Sequence, residues 1–364
     1  MTAVHAGFAA TYAQAREKFL AAAAKQGAAI QHDVLTSHRG CQGEELAIDA
    51  ALLGHGDASS LLLISSGTHG IEGFCGSGAQ VALLSDDALV REIAACDVAV
   101  LFVHAVNPYG FSWLRRANED NVDLNRNFRD FAQPLPVNAE YARLHPHILP
   151  PTWPPAAEHE AVLHGYIARH GIAGLQAVIS SGQYQFADGL FYGGNRPAWS
   201  NARIRALLRE HGRERRRLAW IDFHSGLGPQ GHGEKIYAGH DDARELARAR
   251  AWWGADVTSF HEGSSVSAAL TGAMYVAAYE ECPGIEYTGI ALEFGTVPLP
   301  EVFGALRAEQ WLHNHPGSPL AQRAAVNAAM RRAFYSETAE WQDAVVNQGR
   351  TAVLAALTNL RMVR

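Results

Sequence analysis

The sequence predicts an α/β fold, a three-layer α/β/α sandwich around a mixed, largely parallel central sheet. Two observations carry that expectation. Apolar runs of strand length, Leu61–Ile64, Asp97–Val103, Leu218–Asp222 and Thr288–Gly295, alternate along the chain with longer segments of helical periodicity. The 364 residues, 48% hydrophobic, also supply enough apolar surface for one large core or two smaller ones.

Taken in order, the elements begin with an N-terminal amphipathic helix over about 8–26, with Phe8, Tyr12, Phe19 and Leu20 at near-helical spacing and a stop at Gln26-Gly27. Residues 28–53 alternate in polarity and predict an antiparallel pair of strands turning at Arg39-Gly40. The strand Leu61–Ile64 runs into a Gly-rich turn and a small-residue helix over 77–84, and the strand 97–103 ends in the breaker-rich turn 104–110. Residues 113–128 are polar and irregular, a loop length that usually carries function. The Pro-rich stretch 133–155 predicts surface coil, followed by a helix over 158–170, a strand over 174–180 and a basic, solvated helix over 200–216. Beyond the strand 218–222 come a helix over 242–253, a strand over 257–260, the strand 288–295 and three C-terminal helices within about 301–360. No internal repeat or low-complexity linker interrupts the chain, so a single domain over 1–364 is expected.

The totals exclude several classes. A net charge of −7 gives no reason to expect a nucleic-acid partner. No run of about 18 apolar residues provides a membrane span, and the N-terminus lacks the basic and apolar regions of a signal peptide. The four cysteines, Cys41, Cys75, Cys96 and Cys282, have no CxxC spacing and read as reduced thiols of a cytoplasmic protein. Cys75, close to the turn after the first central strand, is expected to pack as a small apolar residue.

Chemistry gathers at strand ends, where open α/β sheets bind ligands. His69 and Glu72 follow the strand 61–64, three residues apart in a tight turn, and can face one cation with a nitrogen and an oxygen. His224 ends the strand that starts at Leu218. Two histidines and a glutamate form a catalytic zinc set with a fourth position open to water. Glu293 stands in an apolar strand end, where burial would raise its pKa toward the range of a general base. Arg116 would bind an oxyanion, and Asn125 with Arg126 would hold a substrate carboxylate. Ser65-Ser66-Gly67 and Ser180-Ser181-Gly182 also follow apolar runs, but neither fits the nucleophile elbow of a serine hydrolase.

Together these pieces resemble the M14 zinc carboxypeptidase superfamily, and within it the bacterial branch called DUF2817. The resemblance is carried by His69-x-x-Glu72, Asn107-Pro-Tyr-Gly110, Arg116 followed by Val122-Asp-Leu-Asn-Arg-Asn-Phe128, His224, and Leu292-Glu293-Phe294-Gly295. It implies a sandwich around a mixed eight-stranded sheet, and zinc held by His69, Glu72 and His224. It further implies Glu293 as general base and then acid, Arg116 as oxyanion stabiliser with Arg115 as competitor, Asn125 and Arg126 on the substrate's terminal carboxylate, and Asp123 orienting His69. The superfamily's mobile tyrosine is open among Tyr275, Tyr279 and Tyr287. The implied reaction is zinc-dependent cleavage of an amide beside a carboxylate, a metallocarboxypeptidase acting on small peptides, with an N-acyl amino acid deacylase as the alternative. A non-catalytic zinc- or peptide-binding protein is the reading from outside the enzymes.

Overall fold

A computed structural model describes residues 5–361; residues 1–4 and 362–364, the two ends of the expected domain, lie outside the described residues. Seven strands form one sheet: β1 (Ala29–Val34), β2 (Ala47–Leu53), β3 (Ser60–Ser66), β4 (Val98–His104), β5 (Arg217–Gln230), β6 (Gly233–Tyr237) and β7 (Glu286–Gly295). Their order is β1-β2-β4-β3-β5-β7-β6. The inner strands β4, β3, β5 and β7 are parallel, and antiparallel pairing is confined to β1–β2, β2–β4 and β6–β7. The parallel centre explains the unbroken apolar runs in the sequence, because such strands are covered on both faces. β3 and β4 are buried along their whole length. Leu62 and Ile64 of β3 join one apolar cluster with Phe74, Phe111 and Val353, while Leu61 and Leu63 join a second with Ile204, Leu207 and Tyr287. Alternate residues of one strand therefore feed helical layers on opposite faces.

Four local expectations are corrected. Residues 174–180 are the end of a helix, Ala157–Ser180, broken once at Gly171 with φ 72°. Leu175 and Ile179 are buried four residues apart, so the run has helical period, which a short apolar stretch does not reveal. Residues 257–260 make only an isolated bridge from Thr258 to Ile236, and the neighbouring strand is the unpredicted β6. The Pro-rich stretch contains the helix Ala139–Ile148, capped by Asn138, and Asp86 caps another unpredicted helix, Asp87–Ala94. The sheet has seven strands among the described residues rather than eight. The N-terminal helix spans Tyr12–Lys25, and the C-terminal helices span Leu299–Asn314, Leu320–Phe334 and Ala339–Arg361. Among the described residues no helix is long and apolar enough to cross a membrane.

Candidate active site

The parallel strands end on one edge, and the predicted site residues meet there. β3 leads through Gly67, with φ 67°, to His69 at the start of a short 3-10 turn carrying Glu72. Gly70 has no room for a side chain, since a Cβ would lie 2.1 Å from the carbonyl carbon of Gly110. That close approach docks the Asn107-Pro-Tyr-Gly turn after β4 against the His69 turn. Asn107 caps the helix Pro108–Trp113 through Gly110 N, and its amide donates to Arg116 O at 3.1 Å. The backbones of Gly70 and Ile71 donate to Arg116 O and Arg115 O, fixing the arginine segment beside His69. His224 and Glu293 are register partners on β5 and β7.

His69 Nδ1 lies 2.9 Å from Glu72 Oε1, and His224 Nδ1 lies 3.0 Å from Glu72 Oε2. One ligand atom from each of the three residues falls within 4.8 Å of the others, and all three residues are buried. The far nitrogens face carboxylates: His69 Nε2 is 3.4 Å from Asp123 Oδ1 and His224 Nε2 is 2.6 Å from Asp222 Oδ2. At His224 the carboxylate behind the ring favours the proton on Nε2 and leaves Nδ1 free as a ligand; at His69 the same tautomer requires the Arg116 guanidinium, 2.8 Å from Nε2, to give way to Asp123. Two imidazole nitrogens and a carboxylate, each oriented from behind, fit the donor set that zinc takes. Burial alone would raise the Glu72 carboxyl, but His69 and His224 outweigh it and hold it well below its ordinary range. Burial works against charge on His224, and Asp222 with Glu72 overrides it, raising the imidazole well above its usual value.

Glu293 stands across from His224 with Oε1 accepting from Leu227 N at 3.0 Å. Burial, helped by the negative charge of Glu72, lifts its pKa from 4.5 to about 8. Arg116 donates from Nε to Asp123 Oδ2 at 2.9 Å and from Nη1 to Glu72 Oε1 at 3.1 Å, and its Nη2 lies 2.8 Å from His69 Nε2. Arg115 points the other way, into a buried pair with Glu309 at 2.5 Å and a bond to Asn121 at 2.7 Å, so of the two arginines Arg116 is the one at the site. Arg126 reaches the cavity, but its guanidinium is largely engaged by the carbonyl oxygens of Ser180 and Asn125. Asn125 accepts from Met274 N at 2.8 Å through Oδ1 and lines the cavity. Tyr275 and Tyr287 also line it, whereas Tyr279 is bound to Glu245 and stacked on His240.

Three residues with roles in this geometry were not singled out from the sequence. Asp222 was visible in the Asp-x-His spacing but sits in an apolar strand. Its oxygens also accept from Ser65 and Thr68. Asn127, quoted only within a motif, pins the loop by bonding Gly193 O, Arg196 O and Ala198 N. Phe191 places its ring 4.9 Å from the Arg116 guanidinium carbon and 5.5 Å from that of Arg126, and no sequence signal marks it. Cys75 is buried and packs in the core, and burial holds its thiol pKa well up. Ser65 and Ser66 are interior β3 residues bonded to Asp222 and Gln80, which removes them as free nucleophiles.

The cavity in front of these groups encloses about 1270 Å³ including its mouth. The family model described as "Protein of unknown function (DUF2817)" matches residues 8–348. No curated protein matches the chain. The chain is similar to bovine thrombin-activatable fibrinolysis inhibitor, solved in complex with tick carboxypeptidase inhibitor, at 10% identity over 98% of each chain with a TM-score of 0.53. It also matches carboxypeptidase A from Helicoverpa armigera, at 14% identity over 89% of this chain and 73% of the other, TM-score 0.43. A third match is an aspartoacylase family protein from Mesorhizobium loti, at 16% identity over 74% and 61%, TM-score 0.32. The first of these establishes a shared fold.

Proposed function

The chain belongs to the DUF2817 family, and on that premise we propose that it is a zinc-dependent hydrolase cleaving an amide bond beside a carboxylate. The observation that carries the reading is the convergence of two imidazole Nδ1 atoms on Glu72 with a buried, high-pKa Glu293 on the adjacent strand. His69, Glu72 and His224 would hold the zinc, which when bound supplies Lewis acidity to the scissile carbonyl and makes water more acidic. Glu293 would take the proton from water and return it to the leaving amine. Asn125 and Arg126 would hold the substrate carboxylate, Asn125 with its free amide and Arg126 with the N–H groups not engaged by the backbone.

Arg116 would stabilise the oxyanion, and the tautomer of His69 bears on how. Ligation through Nδ1 leaves the proton on Nε2, facing Asp123. Arg116 Nη2, now 2.8 Å from that nitrogen, would then find a donor instead of an acceptor. Arg116 lines the cavity, so an Nη2 released from His69 would be available to an oxyanion formed there. Asp123 would keep both partners in place, holding His69 on one oxygen and Arg116 on the other.

A metallocarboxypeptidase is the leading form of this reading. A deacylase of N-acyl amino acids is favoured by one observation. Past Glu293, the cavity is walled by Leu227, Leu299, Val302, Phe303 and Phe334, and the polar side chain there, Ser225, is bonded to the carbonyl of Phe334. Such a wall suits an apolar acyl group better than a peptide backbone with N–H and C=O groups to satisfy. The test is metal content by mass spectrometry with hydrolysis of blocked dipeptides and N-acyl amino acids measured in parallel. About one zinc per chain, lost in His69→Ala and His224→Ala together with hydrolysis, is expected. A wild-type protein that takes up no zinc when supplied would refute the proposal.

A further inference from the structure

Beneath the metal site the cavity continues along the sheet. On β7, Glu293, Ala291, Gly289 and Tyr287 occupy alternate positions on one face, and on β5 His224, Asp222 and Trp220 stand beside the first three. Ala291 carries little side chain, so a chamber opens above it, between Glu293 and the Tyr287 phenol that covers Gly289. Trp220, Ile236, Tyr237, Met274 and Tyr275 complete its walls. Met274 N is the donor to Asn125 Oδ1, so the chamber adjoins the residue expected to hold the substrate carboxylate. An amino acid anchored by its carboxylate at Asn125 and Arg126 would direct its side chain here.

Tyr287 is the unusual member. It is 2% exposed, it lines the cavity, and its hydroxyl has no hydrogen-bond partner among the described residues. A Cβ at Gly289 would lie 2.1 Å from that hydroxyl, so the phenol folds back along β7 over the glycine, toward the catalytic end. By contrast Tyr237 donates to His240 O and lies 3.0 Å from Glu245, and Asp222 has both oxygens taken by Ser65, Thr68 and His224. A buried hydroxyl left without a partner is costly, and a ligand atom that bonds to it removes the cost. The remaining walls are aromatic or aliphatic and offer nothing to neutralise a charged side chain.

We propose that Tyr287 is a specificity-determining residue: the chamber takes an uncharged, ring-sized side chain whose polar tip bonds the Tyr287 hydroxyl, so a tyrosine-like residue is released in preference to phenylalanine, lysine or glutamate. The inference rests on the amide hydrolase reading above. Two measurements on the zinc-loaded protein separate the two. The first is kcat/KM for N-blocked substrates differing only in a C-terminal tyrosine, phenylalanine, lysine or glutamate. The second is equilibrium binding of the free amino acids, which needs no hydrolysis. Tyrosine is expected to exceed phenylalanine by about fivefold or more in both, the value of one hydrogen bond to a buried group. In Tyr287→Phe that ratio falls to about one. A ratio that survives Tyr287→Phe, tighter binding of lysine or glutamate, or no binding of tyrosine overturns the proposal. Should Tyr287→Phe fail to fold, judged by its melting curve, the wild-type tyrosine-to-phenylalanine ratio decides alone. Hydrolysis of no substrate, with the binding ratio intact, sinks the reaction and keeps the chamber; hydrolysis without the ratio does the reverse.

Discussion

At the scale of single residues, Glu293 is where environment and proposed role meet. Its carboxyl titrates near 8 because it is buried next to Glu72, whose negative charge disfavours a second one. Removing its acid–base capacity in Glu293→Gln is expected to lower turnover by about 10²- to 10⁴-fold while zinc stays bound. Loss of zinc in that variant would make Glu293 a ligand instead. The same shift has a consequence for stability in the metal-stripped protein. A carboxyl whose folded pKa lies above its ordinary 4.5 favours folding in its neutral form. That contribution is complete below about 4.5 and is lost as pH rises through about 8. Glu293→Gln cannot lose a proton, so its stability relative to wild type should climb across that window. Urea melts at several pH values measure this, and a flat difference would contradict the burial of the charge. Legibility at this scale was high for groups whose chemistry is uncommon at a strand end: His69, Glu72, His224 and Glu293 meet as the sequence suggested. It was low for Asp222 and Tyr287, because an aspartate or tyrosine within an apolar strand gives no sign of what its side chain faces.

At the scale of elements, the arginine pair shows what spacing cannot decide. Arg115 and Arg116 are neighbours on an irregular segment, and only the docking of Gly70 and Ile71 onto their carbonyls determines which side chain faces the metal ligands. Arg115 instead joins this loop to the helix Leu299–Asn314 through Glu309, a pair with both side chains at most 7% exposed. Breaking such a pair from one side leaves a buried charge, so Arg115→Met is expected to cost about 3–5 kcal/mol of stability. The double variant Arg115→Met, Glu309→Leu should recover most of it, since a buried pair often does no better than apolar replacements of similar size. Denaturant unfolding of the single and double variants tests this, and equal losses in both would show that the pair itself is stabilising. The strands were legible as elements because β3, β4, β5 and β7 each contain a short run dominated by apolar residues. The helix end 174–180 was not, since seven mostly apolar residues fit either period. The edge strand β6 was not either, because Gly233-Glu-Lys-Ile-Tyr237 has too little apolar content to stand out.

At the scale of the whole molecule, both ends of the described chain are tied to the sheet that carries the site. Tyr12 in the N-terminal helix exchanges bonds with Ala47 at the start of β2. The C-terminal helix Ala339–Arg361 is held where β3 and β5 begin, its last carbonyls accepting from Ser60 and Arg217. Its Trp341 donates to Gly295 O at 2.8 Å, two residues beyond Glu293. Neither end has a separate core to fall back on, which supports the proposal that the chain is one domain unfolding as one unit. Zinc shared by the end of β3 and by β5 would then stabilise the entire structure rather than a lobe of it. At a free zinc concentration a hundredfold above Kd, the added stability is about 2.7 kcal/mol. For a chain of this size that corresponds to a rise of roughly a few degrees in Tm. Calorimetry should therefore show a single transition that moves upward with zinc, and no movement in His69→Ala or His224→Ala. Two transitions, of which zinc moves only one, would mean that part of the chain folds independently of the site, and the single-domain proposal would fail while the metal site stood.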